Sequence, residues 1–324
     1  MTEMCGPKRV VLWGFRTSGH SHRYIHEGWS RYLHRADVDV IWVDDRNEMN
    51  AEIKTQDLVV IPDVHLASSS QGVKHVFRDD VFYLLHHGET LSDKQWASLD
   101  PLKTLIHYEY RKSHMRRLGA VFPLVRMKPY IFRSDPPLHS PQPTVLVHPW
   151  GSALRSSEFL DLPSVTKSKD AFFVGTVWGD EESKVRGNRA IIRDLGRTVR
   201  GFGLNFAVVS GISERMGTFL IRQSRISLSP GSFGHHQDSY LQCRTFKNIS
   251  LGQPTATDVP GFSEILGGSF VAGDKWGERI EYILTRSRRE SLDLLRAQQQ
   301  AIQDYTYEAF WDLTFALLSH GGER

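Results

Sequence analysis

Short apolar runs alternate with amphipathic helical patterns along the first 110 residues, and this alternation constrains the fold more than any other feature. The runs cover residues 9–15, 38–43, 57–61, 81–85 and 104–107. They are rich in β-branched residues and almost continuously hydrophobic, as strands buried on both faces are. An amphipathic segment at about 22–35 separates the first two runs. Such alternation predicts an α/β fold with a parallel sheet.

A second alternating set begins near residue 169. Its predicted strands are 171–174, 205–209, 226–228, 255–257 and 270–271. Its predicted helices are 181–199, 240–251 and about the last forty residues, and Gly252 is a suitable residue to follow the second of them. The repeat of the pattern predicts a second α/β domain.

A proline-rich stretch separates the two sets. Five prolines fall close together there, interleaved with serine and histidine: Pro136, Pro137, Pro141, Pro143 and Pro149. One short apolar run, 145–147, interrupts it. Such composition is typical of an interdomain linker. The expected division is an N-terminal domain at 1–135, a linker at 136–150, a C-terminal domain at 151–305 and a final helix at 306–324.

Composition narrows the class of protein. A chain of 324 residues is long enough for two cores, and a net charge of +3 suits an anionic small ligand without implying nucleic acid. The two cysteines, Cys5 and Cys243, lie outside metal-binding spacings. No signal-peptide pattern or membrane-length apolar run is present in the sequence. We therefore expect a cytoplasmic protein without a membrane span.

A candidate phosphate site lies in the second set. The strand at 171–174 runs into Gly175 and Thr176, and basic residues follow at Lys184, Arg186 and Arg189. A glycine at the end of a strand lets the backbone approach a phosphate, and the next helix offers free N–H groups. A solvated basic helix face would have the same pattern, so this segment alone leaves both interpretations open.

The segment from Arg244 to Leu266 carries a family resemblance. It reads R-x-F-K-x-x-x-x-G-x-P-x-x-x-D-x-P-G-x-x-E-x-L, with Gly252, Pro254, Asp258 and Glu264 at fixed spacing. This resembles the donor half of GT-B glycosyltransferases, particularly those with CgeB-like C-terminal domains. Together with Ser229-Pro-Gly231 it is also similar to exostosin-type enzymes and, more loosely, to phage DNA glucosyltransferases. The resemblance covers about 150 residues.

The resemblance implies a GT-B fold, in which two Rossmann-like domains face each other across a cleft and the last helix crosses back to the N-terminal domain. It also implies roles for individual residues. The donor diphosphate would be held by Gly175, Thr176, Lys184, Arg186 and Arg189. Arg244 would contact the phosphate or the ribose, and the helix that begins there, with Lys247 and Asn248, would face the ribose. The base and sugar pocket would be lined by Ser210, Gly211, Pro230 and Gly231.

One position departs from the family pattern. Where the family commonly has a glutamate three residues after the arginine, this chain has Lys247. A lysine cannot accept hydrogen bonds from the ribose hydroxyls. Either another residue accepts them, or the nucleotide sits differently, or donor activity has been lost.

Two histidine clusters follow predicted strands of the first half. His20 and His22 follow the first strand, and His86 and His87 follow the fourth. A neutral histidine is a reasonable general base for a sugar hydroxyl, so His20, His22 and His87 are the candidate catalytic residues. A structural role is the alternative for each of them. Glu27 and Asp45 are weaker candidates for the base.

Three further patterns carry less weight. Asp37 and Asp39 have the DxD form of metal-dependent transferases, but they lie at the entrance of a strand rather than at its carboxyl end, and we interpret them as a solvated turn. We expect neither a metal nor a resident cofactor, and the glycines of 14–19 are spaced too widely for a dinucleotide fingerprint. The basic, aromatic segment 108–133 predicts a solvated surface or, alternatively, a face for a polyanion such as DNA.

The function expected from the sequence is metal-independent transfer of a sugar from a nucleoside diphosphate donor, with UDP favoured, to a hydroxyl acceptor on a glycan or small molecule. One alternative is a phage-type DNA glycosyltransferase acting on hydroxymethylated bases. Another is a non-catalytic nucleotide- or glycan-binding protein of the same fold, and a sugar-nucleotide epimerase is a further one.

Overall fold

The computed structural model describes residues 6–14, 16, 22–44, 52–62, 77–87, 93–117, 130–132, 143–164, 169–184, 187–270 and 275–319. The chain divides into two compact units. Unit 1 comprises Met1–Tyr108, Pro129–His148 and Tyr307–Arg324. Unit 2 comprises Glu109–Lys128 and Pro149–Thr306. Unit 1 is therefore assembled from three stretches of the chain, and the last of them follows unit 2 in the sequence.

Unit 1 is built on a seven-stranded sheet. Its strands are β1 (Arg9–Trp13), β2 (Asp39–Val43), β3 (Asp57–Ile61), β4 (Phe82–His86), β5 (Thr104–Tyr108), β6 (Tyr130–Phe132) and β7 (Thr144–Val147). The strand order is β2-β1-β3-β4-β5-β7-β6, with six parallel strands and β6 antiparallel at one edge. Its helices are α1 (His22–Arg35), α2 (Asp93–Ser98) and α11 (Tyr307–Ser319).

The core of unit 1 follows from its sequence pattern. Every residue of β1, β3, β4 and β5 is buried, as expected for parallel strands covered on both faces. Helix α1 buries one face, and its Trp29 ring stacks on Phe310 of α11 at 5.0 Å between centroids. Gly28 leaves room for the ring of Tyr307. The last helix of the chain thus completes this core.

Unit 2 has a smaller set of strands: β8 (Asp170–Val174), β9 (Asn205–Val209), β10 (Ser227–Ser229) and β11 (Thr255–Thr257). Strand β8 pairs in parallel with β9, and β10 pairs in parallel with β11. Its helices are α3 (Lys112–Arg117), α4 (Arg189–Gly201), α5 (Glu214–Gln223), α6 (Phe233–Gln237), α7 (Cys243–Ser250), α8 (Pro260–Leu266), α9 (Trp276–Leu284) and α10 (Arg288–Ile302), with a 3₁₀ turn at Ser156–Glu158. Ala171 of β8 packs with Leu195, Val199 and Ile280 in its core.

Several predicted elements have different bounds in the structure. The run at 145–147, predicted as part of the linker, forms β7 because its residues are buried beside β5. Residues 133–142 of the predicted linker lie outside the described residues. The helix predicted to begin at 181 begins at Arg189, since Gly187 has a φ of 144°. Phe270 is buried outside any strand, and residue 271 is not described.

Two local predictions are confirmed. Gly252 follows the C-cap of α7 with a φ of +85°, a conformation that glycine adopts without strain. Asp37 is exposed in the turn before β2, and Asp39 is exposed as the first residue of β2, at the end opposite the carboxyl end of that strand. Among the described helices, none combines the length and the hydropathy that crossing a membrane requires.

Candidate donor site

The end of β8 and the start of α7 form the most distinctive polar arrangement in unit 2. A β-carbon at Gly175, the residue after β8, would lie 2.5 Å from a terminal guanidinium nitrogen of Arg244 and 3.1 Å from its central carbon. The guanidinium therefore occupies the space that any other residue type would fill with its side chain. The predicted pair of Gly175 and Arg244 is brought together in the structure.

Among the described residues, the Arg244 guanidinium contacts an aromatic ring and a carbonyl oxygen rather than an acid. The guanidinium lies over the ring of Phe173, 4.1 Å from the centroid, and its Nε donates to the Val174 carbonyl oxygen at 3.4 Å. No salt bridge joins it to an acidic side chain within the described part of the chain. Burial lowers the pKa of the guanidinium, which nonetheless stays protonated at neutral pH. A half-buried cation of this kind attracts an anionic ligand.

Lys247 and Asn248 lie on the same face of α7 as Arg244, since residues three and four positions apart are neighbours on a helix. The Lys247 Nζ is 3.9 Å from where a β-carbon of Gly217 would stand, and that same position is 3.5 Å from Val174 Cγ1. Asn248 is 5% exposed, and its buried Oδ1 accepts no hydrogen bond from the described residues. The face of α7 thus presents two cations, Arg244 toward the end of β8 and Lys247 toward Gly217 of α5.

The loop after β8 is held by a side chain that sequence reasoning missed. Asn188 donates through Nδ2 to the Thr176 carbonyl oxygen at 3.0 Å and accepts at Oδ1 from the Trp178 N–H at 2.9 Å. These bonds fix the backbone next to Gly175 just before α4 begins. The signal was present in the sequence as an asparagine ahead of a helix, a common position for polar caps.

The predicted basic residues of this segment are placed less centrally. Lys184 pairs with Asp194 at 2.7 Å, and Arg189 lies 3.4 Å from Glu181, both in exposed surroundings. Arg186 lies outside the described residues. Exposed ion pairs of this type are weak and exchange partners readily. Their role toward a diphosphate stays a prediction.

The loop after β10 contains Pro230 and Gly231 and is fixed by an acid. Asp258 accepts from the Gly231 N–H at 2.7 Å and lies 3.1 Å from His236 Nε2. His235 precedes His236 in the chain, and its pKa is lowered to about 4. Burial is the largest cause, and the charges of Arg111 and Arg244 add to it. A neutral imidazole therefore stands near the Arg244 cation.

The predicted base-pocket residues Ser210 and Gly211 follow β9 directly. Gly211 has a φ of +68°, and no described atom lies within 4 Å of where its β-carbon would stand. Helix α5 begins three residues after Gly211, at Glu214, and its N-cap Ser213 accepts through its hydroxyl from the Met216 N–H at 3.3 Å. The turn is thus open and ends at a capped helix N-terminus.

Two cations of the basic segment 108–133, Arg111 and Lys112, have their partners within unit 2. Arg111 pairs with Glu109 at 2.7 Å and lies over the ring of Tyr240, 4.6 Å from its centroid. Lys112 pairs with Glu264 at 3.2 Å. Residues 118–129 lie outside the described residues.

A buried histidine chain in unit 1

Unit 1 gathers histidines at the carboxyl ends of its strands. His86 Nδ1 lies 3.0 Å from His107 Nδ1, and His107 Nε2 lies 2.8 Å from the His148 carbonyl oxygen. A carbonyl only accepts, so His107 donates through Nε2 and, when neutral, accepts at Nδ1. His86 must then donate through Nδ1. These contacts fix the tautomers of both rings.

Two histidines of α1 approach this chain. The rings of His22 and His26 each lie 6.3 Å from the ring of His86, and His26 Nδ1 lies 3.2 Å from the Gly14 carbonyl oxygen. Burial lowers the pKa of His86 well below its usual value, and the neighbouring histidines add to the effect. His86 is therefore neutral. His22 is only partly buried, which leaves it accessible to a substrate.

His87 has an unusual backbone. Its φ is +61°, in the left-handed region, and its ring stacks on Tyr108 at 5.3 Å between centroids. Non-glycine residues in this region are uncommon and cluster at functional sites. His20, the remaining catalytic candidate, lies outside the described residues.

Comparison with known proteins

No family profile matches the chain, and no curated protein matches its sequence. Solved structures do match. The N-terminal domain of trehalose-6-phosphate phosphatase from Candida albicans aligns with 99% of this chain and 98% of its own, at 10% identity and a TM-score of 0.56. An α-glucosyltransferase solved with UDP and a 13-mer DNA containing an HMU base aligns with 97% of this chain and 100% of its own, at 10% identity and a TM-score of 0.52.

An α,α-trehalose-phosphate synthase (UDP-forming) from Burkholderia xenovorans, solved with glucose-6-phosphate, aligns with 91% of this chain and 85% of its own. Its identity is 12% and its TM-score is 0.50. The fold is GT-B. The fold expected from the sequence resemblance is thereby confirmed, while identities of 10–12% leave the chemistry to be argued from the site.

Proposed function

We propose that this protein is a glycosyltransferase that binds a nucleoside diphosphate sugar in unit 2, with UDP the favoured nucleotide, and transfers the sugar to a hydroxyl group. The observation that carries the proposal is the Arg244 guanidinium, held against Gly175 without an acidic partner among the described residues. A cation kept in place at the end of a strand fits an anionic ligand.

The chemistry follows from this charge. Breaking the bond between the sugar and the diphosphate leaves negative charge on the leaving phosphate oxygen, and cations fixed beside it stabilise the transition state. Arg244 and Lys247 supply two such charges on one helix face. We propose that these two side chains neutralise the charge of the diphosphate in place of a divalent cation, so that the reaction needs no metal and no resident cofactor.

The acceptor chemistry is assigned to unit 1. A sugar hydroxyl needs a neutral base near its proton, and His22 is a partly buried histidine beside the neutral His86. We assign His22 as the base candidate, with His87 as a substrate-contacting residue. The structural neighbours support the donor half of this proposal, because one was solved with UDP and another is described as UDP-forming.

A thermal-shift screen with UDP, GDP, CDP, dTDP and ADP tests the donor site. We expect one nucleotide to raise the melting temperature without added metal and equally in EDTA, since ligand binding to the folded state stabilises it. A coupled assay for nucleotide release from the matching nucleotide sugar then tests catalysis. If no nucleotide shifts the melting temperature of a folded sample, the donor assignment is wrong. Glycans, small molecules and DNA are offered as acceptors in this assay. If the protein binds the nucleotide sugar but releases no nucleotide with any of them, it is a non-catalytic binding protein.

A DNA acceptor is the second candidate, favoured by the fold match to an α-glucosyltransferase solved with DNA. Nucleotide release stimulated by duplex DNA containing hydroxymethylated bases would support it, particularly if DNA binding weakens steeply with salt. Stimulation by sugars and not by DNA would exclude it.

A further inference from the structure

Strand β9 is one edge of the two-stranded sheet that it forms with β8 in unit 2. It pairs with β8 along its whole length and has no second strand partner among the described residues. Asn205, Ala207 and Val208 are exposed, and Val208 is 45% exposed although it is apolar. An apolar edge strand left open in this way is a template for pairing with another strand.

The ladder with β8 determines which groups point outward. The Asn205 N–H donates to the Lys169 carbonyl at 2.8 Å, and the Gly175 N–H donates to the Val209 carbonyl at 2.9 Å. Asn205, Ala207 and Val209 therefore direct their backbone groups at β8. By alternation, the N–H and C=O groups of Phe206 and Val208 point away from the sheet.

Helix α5 adds apolar surface beside this edge. Gly217 and Ile221 face the sheet, whereas Met216 and Phe219 are 48% and 55% exposed. Arg222 donates to the Leu251 carbonyl at 2.7 Å, so that flank of α5 faces α7. Helical geometry at 100° per residue places Met216 on the opposite flank, which is the side of β9.

We propose that β9 pairs antiparallel with β9 of a second copy of this chain, so that the protein is a homodimer with its two-fold axis at Ala207. Phe206 then faces Val208 of the partner copy, and the two residues exchange both backbone hydrogen bonds. The symmetry-related pair, Val208 and Phe206 of the partner copy, exchanges two hydrogen bonds in the same way. Each edge has four outward groups, and the two edges together form four hydrogen bonds.

A second copy fits this edge better than an unrelated strand for three reasons. The outward groups are complementary to themselves about Ala207, which leaves none unpaired. Residues 202–212 contain no charged side chain, so two copies meet without like-charge repulsion. The small Ala207 pair at the axis leaves space over the sheet that the exposed Met216 side chains of both copies can fill.

Sedimentation equilibrium of the full chain tests the proposal. We expect the wild type to be a dimer. We expect the dissociation constant of Val208→Lys to be higher by about tenfold or more, because charge on an edge strand opposes pairing. Tyr282→Lys, on an apolar residue 37% exposed in α9, is the matched control and should remain dimeric. A concentration of roughly 100 µM is in the Kd range of weak specific pairs. If the wild type stays monomeric at that concentration, the proposal is overturned.

Disulfide cross-linking tests the register. In antiparallel strands a non-hydrogen-bonded pair at the axis has Cα atoms about 4.5 Å apart, within disulfide range. In a Cys5→Ser background, Ala207→Cys should therefore form a covalent dimer on mild oxidation. Asn205→Cys faces Val209 of the partner copy, about 14 Å from its own equivalent, and should not cross-link. Equal cross-linking of both variants would refute the register, and a dimer unaffected by Val208→Lys would refute the interface.

Discussion

Replacing Arg244 by methionine separates binding from folding at the donor site. Methionine keeps the contact with Phe173 but removes the charge and the hydrogen-bonding nitrogens. A hydrogen bond to a charged group contributes about 1.5–3 kcal/mol, which corresponds to roughly 10- to 150-fold in Kd. We therefore expect nucleotide affinity to fall by about that factor.

The stability of the free protein should change much less. The variant loses a cation–π contact worth about 0.5–2 kcal/mol. It also loses the cost of holding a partly desolvated cation, which offsets that contact. We expect the free energy of unfolding without ligand to change by less than about 1 kcal/mol.

Isothermal titration calorimetry and urea unfolding measure the two effects. At a nucleotide concentration of 100 Kd the wild type gains about 2.7 kcal/mol, whereas a variant binding about 50-fold more weakly gains only about 0.6 kcal/mol. Arg225→Met removes the same charge from an exposed position and should bind like the wild type. An Arg244→Met protein that binds nucleotide within twofold of the wild type would refute the role of the guanidinium.

Three further predictions concern single positions. Gly175→Ala places a β-carbon 2.5 Å from the Arg244 guanidinium, so we expect calorimetry to show weaker nucleotide binding, whereas Gly277→Ala, which meets no atom within 4 Å, should leave binding unchanged. His86 stays neutral in the folded protein, whereas in the unfolded chain it takes up a proton below pH about 6.5. The free energy of unfolding measured in urea should therefore be highest above that pH and fall as the pH is lowered. His86→Gln should make the free energy of unfolding less dependent on pH, and an unaltered slope would contradict this prediction. Gly252→Ala should lower the free energy of unfolding by more than about 2 kcal/mol, because its φ is +85° and a β-carbon there would collide with the Asp161 carbonyl oxygen. A wild-type urea midpoint would show that the turn relaxes.

The sequence predicts most of the strands because their residues are buried in long apolar runs. Strand β3 and helix α1 have the predicted bounds, since a run such as DLVVI and an amphipathic period leave little choice. The 145–147 run was assigned to the linker because its flanking prolines dominate locally. Its burial beside β5 depends on contacts distant in sequence, which no local pattern records.

The candidate site shows the same limit. Arg244 was found through its spacing to Gly252 and Asp258, and Gly175 through its place after a strand. Asn188, which fixes the loop beside them, and the tautomers of His86 and His107 depend on distances between side chains far apart in sequence. Sequence reasoning names residue types and intervals, whereas these features require coordinates.

Unit 1 is assembled from separate stretches of the chain, and this has a consequence for folding during synthesis. Helix α11 supplies Phe310 and Trp311 to a core whose last strand, β7, ends about 160 residues earlier. At about 5–20 residues per second, a ribosome takes roughly 8–32 s to add that interval. During this time the sheet of the nascent chain lacks the helix that covers Trp29, while all of unit 2 is synthesised. Unit 2 can therefore fold before unit 1 is complete, and chaperones would meet the exposed face of the earlier-made unit.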